Sequence, residues 1–188
     1  MPSQQIRAFV NLSSGSGEAA REALEGVGVF DVAPCVPEHL DRQIERAVRE
    51  GAERVVVAGG DGTVAKAAAA LVGKETALAV VPGGTLNHFA KDHGIPSDPV
   101  KAAELSANGA TTTTDVATVN GRVFLNTSSV GAYVVFVRAR ERLERRFGYR
   151  LATVIAALRL LGSIRAFTVE MELDGQPNHV VVYGHDPV

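Results

Sequence analysis

Residues 54–64 read Arg54-Val55-Val56-Val57-Ala58-Gly59-Gly60-Asp61-Gly62-Thr63-Val64. Three consecutive valines and an alanine form an apolar run without alternation, the mark of a strand buried on both faces. Gly59–Gly62 reads as a turn and Thr63–Val72 as an alanine-rich helix. A buried strand that runs into a glycine turn and then a helix puts the turn at the carboxyl end of a sheet, where ligands of open α/β folds bind. The glycines keep side chains away from an anion and permit positive φ, so several backbone N–H groups can converge on one phosphate. A helix opening near Thr63 adds the positive end of its dipole. Asp61 is the odd member, because a carboxylate repels phosphate. It makes sense if it holds Mg²⁺, orients a hydroxyl or accepts a proton. The plainer alternative is a tight turn with Asp61 as a helix cap.

Outward from this stretch the same grammar repeats. Ile6–Val10 is a short strand leading into Asn11-Leu12-Ser13-Ser14-Gly15-Ser16-Gly17, and Glu18–Leu24 reads as a helix stopped near Gly26 and Gly28. Val29–Val36 is strand-like, with Pro34 and Pro37 marking its end as an edge or loop. His39–Glu50 carries Leu40, Ile44, Ala47 and Val48 at helical spacing. Ala77–Val81 is a further buried strand, followed by Pro82-Gly83-Gly84-Thr85-Leu86-Asn87, and Pro99–Asn108 is a helix closed near Gly109. Strand and helix alternating in this way predict an α/β fold, a parallel sheet with helices on both faces.

After Gly109 the pattern changes. Thr111–Val119 and Arg122–Ser129 flank Asn120-Gly121, a strong hairpin signal. Val134–Phe147 and Tyr149–Leu161 read as helices, Arg165–Leu173 as a half-buried strand, and Asp174-Gly175 as the turn into a last strand, His179–Tyr183. The expected organisation is a nucleotide-binding α/β domain over 1–113 and an incomplete β-rich second domain, a partial β-sandwich with a helical insertion, over 114–188.

Of 188 residues, 46% are hydrophobic, which fits a globular chain. A net charge of -2, few aromatics and no tryptophan leave no basis for a nucleic-acid partner. One cysteine, Cys35, excludes an internal disulfide framework and suits a reducing, cytoplasmic compartment. The longest apolar stretch, Leu151–Leu161, contains Arg159 and is too short to span a bilayer.

Three polar, glycine-rich loops at one sheet edge point to a nucleotide site. Gly59–Thr63, with Pro82-Gly83-Gly84-Thr85-Leu86-Asn87-His88-Phe89-Ala90-Lys91-Asp92-His93-Gly94-Ile95-Pro96, resembles the diacylglycerol kinase catalytic-domain family, which includes bacterial lipid kinases and sphingosine kinases. The family shares its Gly-Gly-Asp-Gly element with NAD kinases and phosphofructokinases. Val10–Gly17 is similar to its opening Asn-Pro-x-Ser-Gly-x-Gly motif, and Asp115–Gly131 resembles the start of its β-sandwich domain. The resemblance implies ATP and Mg²⁺ as cofactors and a lipid, such as diacylglycerol, phosphorylated in the cleft between the domains. Carried over, Asn11, Ser14 and Gly15 contact phosphate or ribose. Gly60, Asp61, Gly62 and Thr63 form the phosphate turn, Gly84, Thr85 and Asn87 line the opposite wall, and Asp61 is the catalytic acid-bearing residue. No metal ligand set is assigned.

Leu12 stands where the family has proline, Glu18 where a basic residue is common, and His88 where many members have aspartate. The family's β-sandwich continues past the point reached at Val188, and a later acidic segment there supplies its proposed general base and a structural Mg²⁺ site. The expectation for these residues alone is ATP binding with weak or absent kinase activity, the alternative being a noncatalytic nucleotide-binding remnant or fragment. A further alternative is an NAD-binding or NAD kinase-like protein, since Gly15-Ser16-Gly17-Glu18-Ala19-Ala20 fits the loose dinucleotide pattern and Asp31 lies beyond it. His88 and Asp92 are spaced for one helix face, without an evident third ligand. Between Arg138 and Arg150 lie six arginines. There Leu143, Phe147, Leu151, Val154 and Leu158 form an apolar stripe, read either as a core face or as peripheral contact with the inner membrane surface. Strand edges after Arg165 raise the prospect of a homo-oligomer.

Overall fold

The computed structural model describes residues 5–125, 140, 142–143, 148–158, 165–173 and 176–184. β1 (Ile6–Val10), α1 (Gly17–Val27), β2 (Phe30–Pro34), α2 (Leu40–Arg49), β3 (Arg54–Gly59), α3 (Asp61–Leu71) and β4 (Ala77–Pro82) follow the predicted alternation. The four strands are parallel in the order β2-β1-β3-β4. Val55, Val56 and Val57 are all fully buried, as the unbroken valine run requires. Val55 and Val57 join Phe9 in a core closed by Leu40, Ile44 and Ala47 of α2 and Ala67 and Leu71 of α3. Val56 and Ala58 join Ala8, Val10 and Val81 in a second core closed by Ala20, Ala23 and Leu24 of α1. Alternate residues of one strand thus serve opposite helical layers. Each buried valine contributes about 1.5–3 kcal/mol relative to an exposed one. Cys35 belongs to the first of these cores, and burial pushes its thiol up to about 11, which keeps it protonated and unreactive at neutral pH.

Two departures matter for the site. α3 begins at Asp61, two residues before Thr63, because Gly60 takes the extended N-cap conformation (φ -83°, ψ 176°). Asp61 and Gly62 therefore belong to the first helical turn. A short helix, α4 (His88–Asp92), also follows the third loop. It is too brief for a periodic signal. α5 (Pro99–Asn108) is as expected, with the Asp98 carboxylate accepting the Lys101 N–H at 2.9 Å and Pro99 at the first helical position. α5 adds Ala102 and Ala103 to the core beneath α1.

The chain divides into two compact units, Met1–Thr127 and Ser128–Val188. The first includes the antiparallel hairpin β5 (Ala117–Val119) and β6 (Arg122–Phe124), with β6 packed on α3. At its turn Asn120 has φ 48° and Gly121 φ 73°, the left-handed pair that two-residue hairpin turns demand. Residues 111–116, expected to extend this strand, carry no regular structure. In the second unit residues 148–158 are helical, and β7 (Arg165–Leu173) pairs antiparallel with β8 (Gln176–Gly184). Asp174-Gly175 and most of the helix expected over 134–147 lie outside the described residues.

At the amino end of β3, the Arg54 guanidinium donates to the carbonyls of Ser106 (2.8 Å), Ala107 (3.0 Å) and Gly109 (2.7 Å). It satisfies three acceptors at the end of α5 and places a cation against the negative end of that helix. Arg54→Met is expected to lower unfolding free energy by about 2 kcal/mol, since half-buried charged hydrogen bonds are worth about 1.5–3 kcal/mol. Urea denaturation checks this. Ligand binding at the opposite sheet edge should be unchanged in the folded variant.

Candidate functional site

The loops after β1, β3 and β4 meet at the carboxyl edge of the sheet. The Asn11 N–H donates to Ala58 O at 2.9 Å, and the Gly83 N–H donates to Gly59 O at 2.9 Å. The Gly83 carbonyl in turn accepts the Ser16 N–H at 3.0 Å. Gly83 therefore ties the first and third loops together across the end of β3. Asn11 Nδ2 donates to Thr63 Oγ1 at 3.0 Å, and both residues are buried. Asn11 Oδ1 accepts the Ser13 N–H at 3.1 Å, and Ser14 Oγ donates to Asn11 O at 2.6 Å. Asn11 and Thr63 thus clamp the first loop to the start of α3 and lie beneath the surface.

The glycines separate into two groups. A Cβ on Gly84 would lie 2.5 Å from Gly60 Cα, and one on Gly83 would lie 2.9 Å from Ser14 Oγ and 3.1 Å from Gly59 Cα. One on Gly17 would lie 2.5 Å from Asn11 O. These glycines let loop backbones touch. Gly62 is different: nothing lies within 4 Å of its added Cβ, and Gly15 meets only Gly83 O at 4.0 Å. Both are exposed, Gly62 in the first turn of α3 and Gly15 two residues before α1. The first N–H groups of a helix have no partner inside the helix, so open glycine there leaves donors accessible to an anion.

Asp61 is half-buried, and its Oδ1 accepts the Phe89 N–H of α4 at 3.2 Å. It does cap a helix, although that helix is α4 and not its own. Among the described residues Oδ2 has no hydrogen-bond partner. Asn87 sits in the left-handed region (φ 50°) and locks the third loop by two bonds, Gly84 N–H to Oδ1 (2.9 Å) and Nδ2 to Gly84 O (2.8 Å). Thr85 is exposed in the same loop, and Ser14 is half-buried across from it in the first. Leu12 and Leu86 add apolar side chains, 46% and 57% exposed, to these loops.

The charges around the loops are mostly engaged. Arg21 bridges Glu18 and Glu25, and its guanidinium holds the Glu18 carboxyl below its usual range. Asp31 pairs with Arg7, its register partner at the amino ends of β2 and β1. That is the sheet edge away from the loops, so Asp31 is misplaced to read a ribose there. The Ser16 and Gly17 amides of the dinucleotide-like stretch are also spent, on Gly83 O and Ser14 O. Among the described residues no group of three or more His, Cys, Asp or Glu converges, and His88 and Asp92 do not form the core of one.

Sequence reasoning missed the Asp61–Phe89 link and the central part played by Gly83. The Gly-Gly pair at 83–84 marked the loop but did not tell a packing glycine from a ligand-facing one.

A family model described as diacylglycerol kinase catalytic domain matches residues 5–119, which spans all three loops and the hairpin strand β5. The chain belongs to the diacylglycerol kinase catalytic-domain family. The diacylglycerol kinase of Bacillus subtilis is 35% identical over 146 residues, covering 76% of this chain and 48% of that protein. The diacylglycerol kinase of Mycobacterium tuberculosis (strain ATCC 25618 / H37Rv) is 29% identical over 184 residues, covering 91% and 60%. The crystal structure of a diacylglycerol kinase from Bacillus anthracis shares the fold, with a TM-score of 0.66 at 24% identity over 97% of this chain and 63% of that one. The chain thus spans about half to three-fifths of the length of these relatives. Family membership makes the three loops parts of a lipid-kinase fold.

Proposed function

We propose that the site binds ATP·Mg²⁺ and serves transfer of the γ-phosphoryl group to a lipid hydroxyl such as that of diacylglycerol. The observation that carries this reading is the open space over Gly15 and Gly62 beside two helix starts, where other glycines of the same loops are filled by neighbouring backbone. In this reading the phosphates lie against the first turn of α3, with Gly62 and Gly15 leaving room and Thr85 supplying a hydroxyl donor, while Gly60 packs on Gly84 and the Ser14 hydroxyl, which donates to Asn11 O, helps to shape the first loop. Asn11, Thr63, Gly84 and Asn87 act by shaping the loops, because their side chains or backbones are already bonded to one another. Asp61 would hold the metal through Oδ2, since Oδ1 is engaged by the Phe89 N–H. Magnesium is commonly bound through one or two carboxylates together with substrate phosphates, so a single aspartate suits it better than a protein cage would. When bound, the ion neutralises phosphate charge. Exposed Leu12 and Leu86 fit an acceptor with an apolar body. Phosphoryl transfer asks mainly for positioning and charge neutralisation, which this arrangement supplies.

A second reading, nucleotide binding without turnover, draws on the described residues' bringing together no group of three or more His, Cys, Asp or Glu. Calorimetry with ATP and Mg²⁺, followed by transfer of labelled phosphate to diacylglycerol in mixed micelles, separates the two. Binding with transfer supports the kinase reading, and binding without it supports the second. No ATP binding defeats both.

A further inference from the structure

α4 is five residues long, too short to hold its own shape, so its stability comes from what its ends touch. Phe89 is the point of attachment. Its N–H donates to Asp61 Oδ1 at 3.2 Å. Its carbonyl accepts from His93 Nδ1 at 2.9 Å and from the His93 backbone N–H at 3.2 Å. The two rings stack, with centroids 4.2 Å apart and planes 26° from parallel. Both polar backbone groups of Phe89 are therefore engaged, one by the site aspartate and the other by His93. A carbonyl only accepts, so Nδ1 carries a proton in this arrangement.

Nε2 reaches further. It lies 3.3 Å from Thr114 Oγ1, and a hydroxyl can donate to it or accept from it. Thr114 belongs to the irregular segment 111–116, which leads from α5 into the hairpin, and β6 of that hairpin packs on α3. Asp61 opens α3. The contacts thus close a circuit, from Asp61 to Phe89, His93 and Thr114, then through the hairpin back to the helix that carries Asp61. His93 joins its two halves. Magnesium demands near-ideal ligand geometry, and a ligand is oriented by the groups that hold its other atoms. With Oδ1 held by a fixed N–H, Oδ2 has a fixed direction.

We propose that His93 is a positioning residue for Asp61: by holding Phe89 it fixes the N–H that engages Oδ1, and so sets the direction of Oδ2. The link itself needs no nucleotide, whereas its effect on magnesium rests on the ATP·Mg²⁺ reading of the site. His93→Phe keeps the stacked ring and removes both nitrogen contacts. Without nucleotide, amide exchange at Phe89 followed by NMR should speed up about fivefold, as the loss of one ordinary hydrogen bond predicts. The Asp61 carboxyl ¹³C signal should move with it, while the amides of β3 keep their protection. In calorimetry the gain in ATP affinity conferred by Mg²⁺ should fall about fivefold, with metal-free ATP affinity unchanged. His93→Asn brings an N–H near the position of Nδ1 and should restore most of both losses. If His93→Phe does not fold, His93→Gln, whose amide reaches toward Thr114 and away from the Phe89 carbonyl, decides in its place. Unchanged exchange at Phe89 overturns the proposal. So does a rise shared by the β3 amides, a Mg²⁺ gain that survives the substitution, or His93→Asn behaving like His93→Phe. If Phe89 and Asp61 respond but the unsubstituted protein binds no ATP, the positioning link stands and the ATP reading falls.

Discussion

Gly84→Ala should cost about 2–4 kcal/mol of stability and at least tenfold in ATP affinity, a large penalty for one methyl group. The added Cβ would lie 2.5 Å from Gly60 Cα and 3.0 Å from Asn87 Oδ1. The first of these neighbours is backbone, so no rotamer change relieves the clash. The loops after β3 and β4 must separate, straining the Gly83 N–H bond to Gly59 O and the Gly84 N–H bond to Asn87 Oδ1. Overpacking of this kind costs about 1–3 kcal/mol, and a compromised buried hydrogen bond adds to it. Gly62→Ala is the matched control. Its Cβ meets nothing, and alanine stiffens a helical position, so stability should hold or rise by about 0.4–1 kcal/mol. Nucleotide affinity should nevertheless fall, because the methyl group enters the space assigned to phosphate. Urea melts and calorimetry on the pair give the answer. If Gly62→Ala leaves ATP affinity untouched, the phosphates do not lie against α3.

Asp61→Asn should abolish the gain in ATP affinity that magnesium confers while leaving the fold nearly intact. Asparagine keeps an oxygen for the Phe89 N–H and so preserves the link to α4. Loss of a charge in the first turn of α3 costs only about 0.3–1 kcal/mol. Without the metal, removal of a carboxylate beside phosphates relieves repulsion, so metal-free ATP should bind as well as before or more tightly. With the metal, the variant loses a ligand, and the gain in affinity that Mg²⁺ confers should disappear. Phosphoryl transfer, wherever the parent protein supports it, should fall by about 10²–10⁴, the range for a lost acid–base or metal-holding group. Titrations with and without Mg²⁺ test the crossed pattern. A uniform drop under both conditions would instead mark Asp61 as a purely structural cap of α4.

Much of the nucleotide half was legible because buried parallel strands leave a plain record. Val55-Val56-Val57 could satisfy neither an amphipathic helix nor a half-exposed strand, and the structure buries all three between two helical layers. Asn120-Gly121 was equally readable, since both residues must adopt positive φ and few other pairs do so cheaply. The start of α3 was less readable. An extended Gly60 is set by its contact with Gly84, a partner outside its own segment. The helix at 148–158 was legible as a helix but not in which face it buries, because spacing marks an apolar stripe without saying what packs on it.

Sequence alone thus determined the strand–helix alternation, the edge at which three polar loops gather, and the family to which they point. These rest on local rules of burial, turn conformation and spacing, which act within a few residues. Tertiary structure decided which glycines serve packing and which stay open, that Asp61 reaches across to α4, and that Ala152 and Ala156 are buried while Leu151, Val154 and Leu158 are not. The first two depend on backbone segments far apart in the chain meeting within a few ångströms, a distance that no local spacing encodes.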